Sequence, residues 1–238
     1  IDMLPKLATP KYDMIVPSTG KSITYRPYVV KEEKILLIAM ESQDNIGIEN
    51  AVLDIIKACV ESPIDVNKLA TFDIEYIFVN LRAISVGEGV KIKPECDNTE
   101  CDHREEIKVN ITDVVVANMD TAKDRLIKMN DDISVELKWL TMKDRLDSTE
   151  ALSDTDVIIQ TVAKSIGTIY SGEETFDVSD SKPEEVIDFV ESLSTDQFTK
   201  IVDKISVAPQ LSYKFDYDCK ECGTHNEKEL KGLQDFFI

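Results

Sequence analysis

The chain has 238 residues, of which 42% are hydrophobic, so it can bury the core of one large domain or two small ones. Its 46 acidic residues outnumber its 27 basic residues, and the resulting net charge of -19 is spread along the sequence. Nucleic-acid backbones and anionic lipid surfaces repel such a chain, and no apolar run approaches the roughly 20 residues that span a bilayer. Neither nucleic acid nor a membrane is therefore an expected partner.

The first third of the chain predicts a hairpin followed by helices. Alternating apolar residues on either side of a Pro17–Gly20 turn predict a β-hairpin within residues 12–30. Apolar residues at helical spacing then predict a helical block over residues 31–86, in which Asp73 caps a helix.

The middle of the chain changes to strand-like alternation around two cysteines. Residues before Cys96 and after Cys101 alternate, which predicts a hairpin with these cysteines at its tip, and residues 133–139 predict a further strand. An amphipathic helix is predicted over residues 154–169, followed by an acidic loop at residues 171–174.

The last part of the chain repeats this cysteine pattern. Pro183 and Ser194 each start a predicted helix, and alternating residues from Leu211 run directly to Cys219 and Cys222. Both cysteine segments have the order strand, cysteine pair, strand, and they form an internal pseudo-repeat.

These elements predict an α+β fold with two pseudo-repeated β-hairpins that form a zinc-ribbon-like unit. We expect one domain, 1–238, with five consecutive parts: the N-terminal hairpin (12–30), the first helical block (31–86), the first cysteine hairpin with its strands (88–147), the second helical block (148–208), and the second cysteine hairpin with the C-terminal tail (209–238).

The cysteine pairs carry the clearest chemical signal. Each cysteine pair forms a knuckle, a tight turn that points two thiols at one metal ion, with four residues between the cysteines of the first pair and two between those of the second. Two knuckles supply the four ligands of a tetrahedral structural zinc site, here Cys96, Cys101, Cys219 and Cys222. The fifth cysteine, Cys59, is then the spare one.

Two alternatives remain open for these cysteines. In one, His103 or His225, which each follow a cysteine pair, replaces a thiol ligand, or the knuckles form two separate sites. In the other, no metal binds, and the cysteines are reduced or form local disulfides.

No catalytic constellation is present. The sequence lacks a P-loop, a Gly-rich dinucleotide turn, a His-Glu-x-x-His helix and a nucleophile elbow. A site with four cysteine ligands also leaves no open position on the metal. We therefore expect no enzyme and no catalytic residues.

Five runs of sequence resemble a known family. Residues 20–37 read GKSITYRPYVVKEEKILL, residues 72–76 read FDIEY, residues 81–88 read LRAISVGE, residues 219–223 read CKECG, and residues 230–237 read LKGLQDFF. These runs are similar to the baseplate hub assembly proteins of T-even-type contractile-tailed bacteriophages. The four-residue gap between Cys96 and Cys101 departs from that family, whose cysteine pairs are closer together.

The resemblance implies a structural protein that helps to build the tail baseplate hub through contacts with other baseplate and tail proteins. It implies assembly in the host cytoplasm, with the virion tail baseplate as a further location. The alternative functions are a zinc-ribbon adaptor of a transcription or replication complex, which needs a basic ribbon face, and a zinc hydrolase.

Overall fold

The computed structural model describes residues 7–42, 44–120, 123–146, 154–233 and 235. Within these ranges the chain forms seven α-helices and eleven β-strands, and all the strand pairs are antiparallel. The predicted α+β class is confirmed. No helix in the described part of the chain has the length and apolar character needed to cross a membrane.

The N-terminal hairpin forms as predicted. Strand β1 (Tyr12–Ile15) pairs with β2 (Ser22–Tyr25), and backbone hydrogen bonds between Val16 and Lys21 and from Gly20 to Val16 close the turn. Gly20 has a φ of 67°, a left-handed conformation that glycine adopts without steric cost. The turn therefore depends on this glycine.

Three helices follow the hairpin, where the helical block was predicted. They are α1 (Val30–Glu41), α2 (Asn45–Cys59) and α3 (Thr71–Val86). The Asp44 side chain caps α2 by accepting hydrogen bonds from two backbone N–H groups. Helices α2 and α3 supply most of the largest fully buried side chains in this part of the chain, namely Ile55, Ile56, Ile74, Ile77, Phe78 and Leu81.

Asp73 does not occupy the predicted capping position. Helix α3 begins at Thr71, so Asp73 lies inside the first turn, where it is fully buried. Its carboxylate accepts hydrogen bonds from the backbone N–H of Ser18 at 2.9 Å and from the Ser18 hydroxyl at 2.5 Å. The buried charge thus joins α3 to the turn of the first hairpin.

A second part of the chain is built around a four-stranded sheet. Its strands are β6 (Leu126–Lys128), β7 (Ile133–Leu137), β8 (Ile166–Ser171) and β9 (Glu174–Asp177), and they lie in chain order in the sheet. The helices of this region are α4 (Met142–Leu146), α5 (Asp154–Ser165), α6 (Pro183–Glu191) and α7 (Thr195–Ser206). Buried residues from the sheet and from α5, α6 and α7 form one core: Met129, Val135, Leu137, Val162, Ala163, Ile166, Val186, Val190 and Ile201.

The predicted helix over residues 154–169 is too long by four residues. Helix α5 ends at Ser165, and Ile166 begins β8, which pairs with β7. The last four residues of the predicted helix, 166–169, include Gly167 and β-branched residues, which favour an extended chain when a partner strand is available. The predicted loop at 171–174 is the tight turn between β8 and β9, with Gly172 at a φ of 60°.

The start signals of the last two helices are confirmed. Pro183 occupies the first position of α6. Ser194 and Gln197 form a capping box at α7, in which each side chain accepts a hydrogen bond from the other residue's backbone N–H.

The described residues separate into two compact units. One comprises residues up to 66, residues 72–117 and residues from 210 onward, and the other comprises residues 67–71 and 118–209. The single-domain assignment for 1–238 stays a prediction. Both cysteine segments belong to the first unit, although most of the second unit lies between them in the sequence.

The Ser18–Asp73 link gives a testable consequence. Replacing Ser18 with alanine removes a hydroxyl donor from a buried carboxylate, so we expect the free energy of unfolding to fall by about 1.5–3 kcal/mol. Thr24→Val is the matched control, because it removes a hydroxyl that donates to the Asp13 carboxylate in an exposed part of the same hairpin. Urea unfolding measures both variants, and an equal small effect for the two would contradict the structural role of Ser18.

Candidate metal centre

The first cysteine pair lies at the tip of a short hairpin. Strand β3 (Gly89–Ile92) pairs with β4 (Ile107–Asn110), and a bridge between Glu95 and Arg104 extends the ladder toward the tip. The alternating sequence on either side of the cysteines is what favours this hairpin. The ladder brings both ends of the 96–101 segment together and holds its thiols at one end of the hairpin.

The second cysteine pair lies in the tight turn of a longer hairpin. Strand β10 (Gln210–Asp218) pairs with β11 (His225–Lys231) along its length, and β10 also pairs at its start with β5 (Val115–Ala117). Backbone hydrogen bonds between Cys219 and Thr224 and from Gly223 to Cys219 close the turn. Gly223 has a φ of 73°, which permits this sharp reversal directly after Cys222.

The two hairpins bring all four thiols together. Cys96 Sγ lies 3.6 Å from Cys222 Sγ, and Cys101 Sγ lies 3.8 Å from Cys219 Sγ. All four sulfur atoms are within 4.8 Å of one another. A tetrahedron whose sulfurs lie 2.3 Å from a central zinc has edges of about 3.8 Å. The spacing therefore matches the ligand shell of one tetrahedral metal ion.

Backbone amides point at three of these sulfurs. The N–H groups of Asn98, His103 and Thr224 donate hydrogen bonds to the sulfurs of Cys96, Cys101 and Cys222, respectively. In each case the donor lies two residues after the cysteine. Such N–H donors stabilise negative charge on sulfur, which is the form that binds metal.

The thiols influence one another's ionisation. The Thr224 hydroxyl and backbone N–H lower the pKa of Cys222 to about 6. At Cys101, the His103 N–H lowers the pKa, but burial and the Cys222 and Cys219 thiols outweigh it and raise the pKa to about 12. The Cys222 thiolate thus forms readily, and its negative charge opposes ionisation of the neighbouring thiols. Four thiolates can therefore lie this close together only with a cation among them.

A buried asparagine joins the two knuckles independently of sulfur. Asn226 is fully buried, and its Oδ1 accepts a 2.7 Å hydrogen bond from the backbone N–H of Asp97 in the first knuckle. Its Nδ2 donates to the carbonyls of Thr224 at 2.8 Å and Tyr217 at 3.4 Å in its own hairpin. The Tyr217 hydroxyl in turn donates to the Glu95 carbonyl at 3.2 Å. These bonds fix the register of one knuckle on the other.

Two ion pairs also connect the hairpins. Lys228 pairs with the Asp97 carboxylate, and Lys220 Nζ lies 2.6 Å from Oε2 of the buried Glu105. The second hairpin supplies both cations, and the first supplies both anions. The facing surfaces of the two hairpins therefore carry opposite charges at this contact.

Among the described residues, the cluster consists of the four cysteines and includes neither His103 nor His225. His225 Nδ1 lies 2.8 Å from Oδ1 of Asp218, which raises the pKa of the imidazole. His103 contributes its backbone N–H to Cys101, and its Nε2 is buried with no hydrogen-bond partner among the described residues. The spare thiol, Cys59, is buried at the end of α2, and burial raises its pKa to about 11.

Sequence patterns identified the four cysteines but missed the residues that hold the hairpins together. Asn226, Tyr217 and Asp97 have no distinguishing spacing, and their partners lie on the other hairpin. The sequence around them therefore gave no signal of this role.

A search of the curated proteins and a search of the solved structures found no match. A comparison with protein-family models did find one. The family model described as T4 bacteriophage base plate protein matches residues 9–238. This match covers nearly the whole chain, including both cysteine hairpins, and the chain belongs to the T4 bacteriophage base plate protein family.

Proposed function

We propose that the protein is a structural component of the phage tail baseplate hub that acts through contacts with other baseplate and tail proteins. Its four clustered cysteines hold one structural zinc ion. Family membership supports the baseplate role, and the runs that resemble hub assembly proteins, among them residues 20–37, 219–223 and 230–237, support the hub assignment. The observation that carries the zinc assignment is the convergence of four sulfurs within 4.8 Å.

Zinc fits this site better than magnesium or calcium. Four thiolates in a tetrahedral arrangement are typical of zinc or iron–sulfur chemistry, whereas magnesium and calcium prefer oxygen ligands. The proposed site is structural because all four ligand positions are filled by sulfur, which leaves none for water or a substrate. Neither metal chemistry nor the sequence motifs support an enzyme.

The zinc-ribbon adaptor of a transcription or replication complex is less well supported. The outward face of the second hairpin carries four carboxylates beside two lysines and a histidine, namely Asp216, Asp218, Glu227, Glu229, Lys214, Lys231 and His225. A face with this many carboxylates repels a nucleic-acid backbone. We accordingly infer protein partners, with assembly in the host cytoplasm before incorporation into the tail.

The first test is metal content. Protein purified without chelator should contain about one zinc per chain, and Cys222→Ala should reduce this to about zero and lower the free energy of unfolding by several kcal/mol, on the order expected for a lost structural zinc. Cys59→Ala is the matched control, because it removes a thiol outside the cluster and should retain the zinc. Absence of zinc, or its retention by Cys222→Ala, would contradict the assignment.

The second test addresses the asparagine link. Asn226→Ala leaves buried groups on both knuckles without partners, so we expect a loss of at least about 2 kcal/mol in stability and a 10- to 100-fold weaker zinc affinity. Competition with a chromophoric chelator measures the affinity. Glu227→Ala, at the exposed neighbouring position on β11, should leave both quantities unchanged, and equal effects from the two variants would argue against the link.

The third test addresses the function itself. Affinity purification of the tagged chain from infected cells should recover tail and baseplate proteins, and a nuclease treatment should not change the yield. The Cys222→Ala variant should recover less of them, because the hairpins lose their fixed arrangement. Recovery of nucleic acid without tail proteins would favour the adaptor hypothesis instead.

A further inference from the structure

Helix α1 presents apolar side chains to solvent. Only Glu32 and Leu36 of its residues are buried, while Leu37 is 53% exposed and Ile38 is 56% exposed. Ordinary surface helices bury their apolar side and expose their polar side. An exposed apolar stripe of this kind marks an interaction surface.

A basic residue lies at one end of this apolar stripe, and an acidic residue lies at the other end. Successive helical residues are about 100° apart, so Lys34, Leu37, Ile38 and Glu41 lie along one side of α1, opposite Leu36. Lys34 precedes the apolar centre by one turn, and Glu41 follows it by one turn. Both charged residues are exposed and have no ion-pair partner among the described residues.

We propose that this stripe binds a second copy of the chain, with the two α1 helices packed antiparallel around a twofold axis. When the axis passes between Leu37 and Ile38, Leu37 of each copy meets Ile38 of the other. In the same register, Lys34 of each copy faces Glu41 of the other. The stripe is thus self-complementary, as a twofold interface must be.

Charge favours a second copy over an unrelated partner. A uniformly basic or acidic surface would match one end of the stripe and oppose the other end, whereas an antiparallel copy matches both. The net charge of -19 on each copy opposes association. This repulsion is screened beyond about 8 Å at physiological ionic strength, whereas the contact itself is at short range.

Charge exchange tests the register. Sedimentation velocity over a range of protein concentrations should show a monomer–dimer equilibrium for the natural chain. Lys34→Glu and Glu41→Lys should each raise the dissociation constant at least about tenfold, because each creates two like-charge contacts across the axis. The double variant Lys34→Glu, Glu41→Lys restores opposite charges and should return the dissociation constant to within about threefold of the natural value.

A matched control and the zinc content separate this proposal from the proposed function. Lys200→Glu changes an exposed lysine on α7 and should leave the dimer intact. Circular dichroism and a zinc content equal to that of the natural chain exclude misfolding of the variants. A monomer at every concentration, dimers insensitive to either single variant, or a double variant that stays monomeric would each overturn the proposal, and none of these results bears on baseplate membership.

Discussion

The contact between two cysteine hairpins is the constraint on which the first unit depends. It joins residues separated by as many as 131 positions in the sequence, as between Asp97 and Lys228. Bringing such distant segments together costs chain entropy. The proposed metal ion would offset this cost directly, because its binding free energy is available only when all four thiols meet. The hydrogen bonds of Asn226 set the register in which they meet.

The charge distribution around the hairpins explains how such a site is tolerated in an acidic chain. Zinc with four thiolates carries a formal charge of about -2. Lys220 and Lys228 neutralise Glu105 and Asp97 at the hairpin contact, so these carboxylates do not add to the charge of the site. The amides of Asn98, His103 and Thr224 stabilise the sulfurs themselves. These backbone dipoles stabilise the negative charge on the sulfurs, which the net negative charge of the chain does not.

The sequence predicted local structure well and tertiary contacts poorly. The first hairpin, the helix start signals and the cysteine segments were predictable because a turn glycine, a capping box and a thiol pair act on neighbouring residues. Helix α5 was predicted too long because periodicity alone cannot show that β7 is present to pair with Ile166–Ser171. The roles of Asp73 and Asn226 were not predictable, since their partners, Ser18 and Asp97, lie far away in the chain. The thiol cluster itself was predictable, because two cysteine pairs in a repeated order of strand, cysteine pair and strand are typical of one shared metal site.

A baseplate component must present the same surfaces to its neighbours in every copy, and the proposed zinc ion would hold the two hairpins in one fixed arrangement. X-ray absorption at the zinc edge tests this account most directly, because it reports the ligands of the bound metal. The account predicts four sulfur ligands at about 2.3 Å and no light-atom ligand. Nitrogen or oxygen ligands near 2.0 Å, or the absence of a zinc edge in protein purified without chelator, would contradict it.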